Sequence, residues 1–168
     1  QEYLALMYLE GRGIARDVRK GTEMLTKVAN GSKSASLKLA DAYWSGKLVP
    51  QDYKQALKRY TAASDTGDPH ALYMLATAHR DGAGVSKNND SACMYYVLAL
   101  SIGSPEALHD SPQAWCPAAT LGNGRERAKK WLQRHPPVAW IVQQRRRDQQ
   151  NSNNKGVERQ TLSDPAKQ

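Results

Sequence analysis

No apolar run in this 168-residue chain approaches the roughly 20 residues that a membrane-crossing helix requires. Cysteine is nearly absent: Cys93 and Cys116 stand alone, neither in a Cys-x-x-Cys pair, which excludes a fold stapled by several disulfides. A phosphate loop is missing too. The glycine stretch DGAGV at 81–85 follows a helical stripe, no Gly-Lys-Ser/Thr comes after it, and Lys87 stands where a dinucleotide fingerprint would place its third glycine. His70, His79, His109 and His135 are scattered, with neither HExxH nor a Cys/His cluster, so no metal site is expected. No catalytic constellation assembles either. The sequence reads as a non-enzymatic protein without a cofactor.

The opening QEYLALMYLEG has no basic start and no cleavage site, so it reads as an amphipathic helix and not a signal peptide. It looks like the interior of something longer. The length suits one domain, and 40% hydrophobic with 24% charged residues is a soluble composition. The net charge of +8 is lopsided: residues 125–168 hold 11 Lys/Arg and 4 Asp/Glu, whereas residues 1–124 are nearly balanced. That basicity belongs to the C-terminal end.

What the chain does have is a period. Gly11 in EGRGI, Gly46 in SGKLV and Gly82 in DGAGV are 35 and 36 residues apart. Leu4, Ala5 and Tyr8 recur as Leu39, Ala40 and Tyr43, then as Leu75, Ala76 and His79. Asp17, Asp52 and Asn88 follow each corner where an N-cap is wanted, and Gly31, Gly67 and Gly103 close each unit where a helix end tolerates the left-handed conformation. Each unit is helix, glycine corner, helix, glycine stop, over about 1–34, 35–70 and 71–106. A worn fourth unit at 107–135 keeps a second helix in RERAKKWLQRH, while Pro112 and Pro117 degrade its first and Ala118 replaces the corner glycine. One unit cannot bury its own apolar stripe, so the units must stack.

The period and the pattern A-x-x-x-L-A-x-x-Y-x-x-G, as in ASLKLADAYWSG at 35–46, resemble the Sel-one-like repeat, a relative of the tetratricopeptide repeat. Gly21 for the usual Ala, Lys47-Leu48 in place of a second glycine, and His79 for the usual Tyr depart from it. The resemblance implies an all-α, right-handed αα superhelix. It also implies an adaptor or scaffold role in protein assembly, in a family with many bacterial and exported members.

Three surface features follow. Opposite the core stripe, the first helices carry Leu6 and Leu9 in unit one, Leu37, Asp41 and Trp44 in unit two, and Tyr73, Thr77 and Arg80 in unit three. First helices usually line the concave side of such solenoids, so this face suits a peptide or partner protein, although each residue could equally serve packing. The repeat register places Cys93 early in the second helix of unit three and Cys116 late in the first helix of unit four. A disulfide and two buried thiols are both compatible with that placement. A disulfide would point to an oxidising compartment, periplasmic or secreted.

The end, PPVAWIVQQRRR and beyond, reads as a short docking helix at 136–147 followed by a flexible polar tail at 148–168. Arg145, Arg146 and Arg147 make an electrostatic binder of nucleic acid or acidic envelope polymer the alternative function. Asn30-Gly31-Ser32 and Asn89-Asp90-Ser91 match glycosylation acceptors by short pattern alone.

Overall fold

The computed structural model describes residues 1–112 and 115–162, with side chains to residue 153. Helices α1 (Glu2–Glu10), α2 (Val18–Ala29), α3 (Lys33–Ser45), α4 (Tyr53–Ser64), α5 (Pro69–Asp81) and α6 (Asn89–Ile102) form three pairs. They are followed by α7 (Pro105–His109), α8 (Ala118–Arg134) and α9 (Pro136–Leu162). Among the described residues there is no strand; each of the first five helices packs chiefly on its sequence neighbours, as an αα solenoid requires, and α6 packs on α5 and, past α7, on α8.

The helix ends follow from local chemistry. The side chains of Asp17, Asp52 and Asn88 accept from the backbone N–H of Lys20, Gln55 and Ser91 at 2.9, 3.0 and 2.9 Å, starting the second helix of each of the three pairs. Ser32, Asp68 and Ser104 do the same for α3, α5 and α7. Gly11, Gly46 and Gly82 stop the first helix of each of the three pairs in the left-handed region, at φ 75, 67 and 76°. Gly67 and Gly103 are also left-handed, but Gly31 is not. Asn30 ends α2 in right-handed geometry, and Gly31 stands in open space.

The core is three linked clusters. Leu9, Leu25, Leu39 and Val49 fill the first, Leu57, Tyr60 and Leu75 the second, and Leu72, Leu98, Trp131, Val138 and Val142 the third. Small residues set the helix spacing. Gly21 of α2 lies so close to α1 that a Cβ would stand 2.7 Å from Leu9 Cγ and 2.9 Å from the Ala5 carbonyl oxygen. The departure from alanine at this position therefore matches the packing.

The fourth unit differs from its expected form. Its first helix shrinks to the five residues of α7, and α8 begins at Ala118, so the corner expected there is helix instead. Pro117 explains the shift: it is poorly tolerated in a helix interior but fits just before a first turn. Cys116 accordingly lies in the connection ahead of α8 and not at the end of a first helix. Its Sγ is bonded to that of Cys93, with the Cα atoms 5.6 Å apart. Gly124 of α8 permits the approach to α6, since a Cβ there would stand 2.9 Å from that of Cys93.

The expected docking helix over 136–147 is the first part of a single helix that continues to Leu162. The expected tail at 148–168 is thus helical as far as Leu162, and residues 163–168 lie outside the described residues. Polar composition alone did not reveal this because α9 is nucleated by its docked N-terminal third. Val138 and Val142 are buried, and Ile141 Cδ1 lies 3.0 Å from the Cβ position of Gly67. His135, which links α8 to α9, also reaches Asp65 at 3.2 Å. No described helix is long and apolar enough to cross a membrane.

Candidate functional site

The first helices α1, α3, α5 and α7 are joined laterally by polar side chains. Lys38 of α3 pairs with Glu2 of α1. Asp41 of α3 accepts from Tyr60 Oη at 2.6 Å and from His70 Nε2 of α5 at 3.0 Å. His70 Nδ1 donates to Glu106 Oε1 of α7 at 2.9 Å, and the Ser104 hydroxyl donates to Glu106 Oε2 at 2.6 Å. One row of charges thus crosses four helices.

The row sets its own ionisation. The hydrogen bond to Asp41 raises His70 against the opposing effect of burial, and Glu106 adds to it, so its pKa climbs to about 9. At neutral pH the ring carries a charge and both nitrogens donate. Burial pushes Asp41 upward, but the hydrogen bonds from His70 and Tyr60 outweigh it and hold the carboxyl below its usual range. Glu106 is likewise lowered: burial is outweighed by Ser104, its own backbone N–H and His70.

The residues expected on this face take unequal places. Trp44 packs edge-on against Tyr53 and Tyr60, with ring centroids at 5.0 and 6.2 Å, and Leu37 leans on the same cluster. Both act in packing. Tyr73 is half-buried with its hydroxyl 3.4 Å from Asp110, and the Thr77 hydroxyl donates to the Tyr73 carbonyl at 3.2 Å. Arg80 grips Asp81 through two bonds of 2.7 and 2.8 Å and lies 5.8 Å over the Trp115 ring. Leu9 is wholly buried, whereas Leu6 lines an open hollow with Lys38, Asp41 and Leu48.

Glu2, Lys38, His70 and Glu106 were not singled out from the sequence as a site. A signal existed: Glu2 and Lys38 are one period apart, as are His70 and Glu106, each at 36 residues. Residues of opposite charge at the repeat spacing sit side by side on neighbouring first helices.

Elsewhere, His79 stacks on Tyr95 at 5.6 Å, and burial holds its pKa below the usual value. Arg145 lies across Gly103 at the end of α6; its guanidinium could swing aside for a larger residue, but the glycine's φ of 89° disfavours one. A cation there suits the carbonyl-rich helix end. Arg146 and Arg147 are exposed. Among the described residues no three His, Cys, Asp or Glu side chains gather as a metal site.

Repeated capped pairs bearing a laterally bridged face define a helical repeat scaffold. Residues 1–32, 33–68 and 69–104 each match the Sel1 repeat, and the chain belongs to the Sel1 repeat family. An uncharacterized protein of Neisseria meningitidis serogroup B is 35% identical over 69 residues, which are 41% of this chain and 15% of that relative. The crystal structure of a Sel1 repeat protein from Oxalobacter formigenes superposes with a TM-score of 0.52 at 29% identity, over 63% of this chain and 80% of that one. That of c5321, a protective antigen of uropathogenic Escherichia coli with an SLR fold, gives a TM-score of 0.59 over 86% of this chain and 39% of that one. At 20% identity this second likeness concerns the fold alone. Sel1 repeat proteins generally act as protein–protein interaction scaffolds and are typically non-catalytic.

Proposed function

We propose that the chain is a scaffold whose first-helix face, built on α1, α3 and α5, holds a peptide or folded segment of a partner protein. The supporting observation is the charge row from Glu2 to Glu106, which fixes half-exposed polar groups in place on neighbouring first helices before any partner arrives. Side chains ordered in advance lose less freedom on association. The second helices supply the packing behind this face.

A photo-crosslinking residue placed at Lys38 or Ser45 on α3, or at Lys54 or Lys58 on α4, tests the assignment against a partner purified with the intact chain. Crosslinks confined to the α3 positions support it. Crosslinks confined to α4, or spread equally over both helices, sink it.

A further inference from the structure

Three departures from the repeat pattern stand out in the sequence, and two have packing reasons: Gly21 admits Leu9, and His79 stacks on Tyr95. The third, Lys47-Leu48, has a different consequence. Corners one and three carry a second glycine in the left-handed region, Gly13 at φ 72° and Gly84 at φ 74°. Among the described residues no other residue type takes positive φ, so the second corner follows another path and projects a side chain where the others have none. At corner three a projecting side chain would collide, since a Cβ on Gly84 would stand 2.8 Å from that of Tyr53.

Leu48 leans on the first core cluster and also lines two open hollows. One, of about 350 Å³, lies between α1 and α3 over Leu6, Ala42 and Leu48, with Lys38 and Lys47 at its edge. The other, of about 470 Å³, continues past Lys47 and Leu48 to Arg12 and Arg16 at the first corner. The two share Lys47 and Leu48 and so make one shallow groove, apolar on the α1–α3 side and mainly polar toward the first corner.

The groove's charges do not balance. Its anions are already engaged: Asp41 binds His70 and Tyr60, and Glu10 pairs with Arg12 at 2.8 Å. Lys38 is held by Glu2. Lys47 and Arg16 have no carboxylate partner among the described residues. The Arg16 Nε donates to the Leu9 carbonyl at 2.9 Å, which anchors its guanidinium near the groove. Two uncommitted cations beside an apolar floor complement carboxylates flanking an aliphatic side chain.

We infer that this groove binds an acidic peptide segment of a partner protein, with an aliphatic side chain seated against Leu6, Ala42 and Leu48 and its carboxylates on Lys47 and Arg16. The inference rests on the first-helix face being the binding face, and adds the partner's chemistry.

The probe is a fluorescein-labelled peptide, Glu-Asp-Glu-Leu-Leu-Glu-Asp-Glu, titrated into the intact chain and followed by anisotropy. Binding is expected to weaken at least tenfold in the double variant Arg16→Glu/Lys47→Glu, whose sites are exposed, and in Leu48→Ser. A peptide with Lys for every acid, or Ser for both leucines, is expected to bind at least tenfold more weakly than the parent. A variant with Arg145, Arg146 and Arg147 all changed to Glu is expected to bind like the parent chain. Unchanged affinity in Arg16→Glu/Lys47→Glu, loss that follows the α9 variant instead, or no binding to the parent chain overturns the inference. If the peptide fails while partner crosslinks still map to α3, the groove chemistry is wrong and the scaffold face stands.

Discussion

His70 Nε2 stands 3.0 Å from Asp41 Oδ1, joining α5 to α3 across 29 residues of sequence. With Glu106 on its other nitrogen, the ring is a charged tie between three first helices.

That tie gives stability a pH signature. The His70 pKa of about 9 lies above its ordinary 6.5, so its contribution is full below about pH 6.5 and is lost as pH rises through 9. Asp41 and Glu106 are lowered, so theirs is lost on acidification through the carboxylate range. The melting temperature is therefore expected to fall between pH 6.5 and 9 in the parent chain, and to fall less in His70→Gln. His79, depressed by burial, works oppositely: its contribution is present above pH 6.5 and is lost as pH drops. Parallel slopes for parent and His70→Gln in thermal melts would remove the tie from the account.

Gly21→Ala tests the spacing of the first pair. Alanine gains about 1 kcal/mol of helix propensity over glycine. Here its methyl meets Leu9 and the Ala5 carbonyl at under 3 Å, and the backbone oxygen cannot swing away. Overpacking of this kind costs about 1–3 kcal/mol, so a net loss is expected in urea unfolding. A more stable variant would contradict the close approach of α1 and α2.

The Cys93–Cys116 bond closes a 23-residue separation, and removing such a crosslink typically costs about 2–4 kcal/mol. Cys93→Ser/Cys116→Ser is expected to melt several degrees lower than the oxidised parent, and mild reductant should act slowly because both residues are buried. Thiol titration of the native chain checks the premise: two titrating thiols would refute it.

Truncation separates the two parts of α9. A chain ending at Arg134 loses buried Val138 and Val142 and uncovers Gly67, and it is expected to lose about 3 kcal/mol or more. A chain ending at Asn151 keeps those contacts and should match the parent within about 0.5 kcal/mol. Equal stability of the two truncations would mean that α9 does not dock.

Much of the stack was legible because its signals are local and repeated. Asp17, Asp52 and Asn88 cap where the spacing placed them, and Gly11, Gly46 and Gly82 stop their helices as a glycine after an apolar stripe should. Gly31 misled because Asn30 closes α2 without needing a left-handed residue. The fourth unit was hard to place because two prolines leave several partitions of 105–134 sterically allowed, and only packing against α6 selects one. The surface was least legible. Trp44 looks like a binding residue by position, yet Tyr53 and Tyr60 claim its ring; Glu2 and Lys38 look like solvated charges until α1 and α3 lie side by side.

The disulfide has a consequence for how the stack comes apart. Cys93 lies inside the third matched repeat, and Cys116 beyond the last of them. This covalent clasp therefore straddles the junction between the regular repeats and their cap. In a solenoid each unit leans only on its neighbours, so opening normally starts at either end. Here the junction is riveted, and the buried Val138 and Val142 of α9 cover it. Opening is therefore resisted where the clasp sits, and hydrogen exchange should be slowest in α6, which carries Cys93.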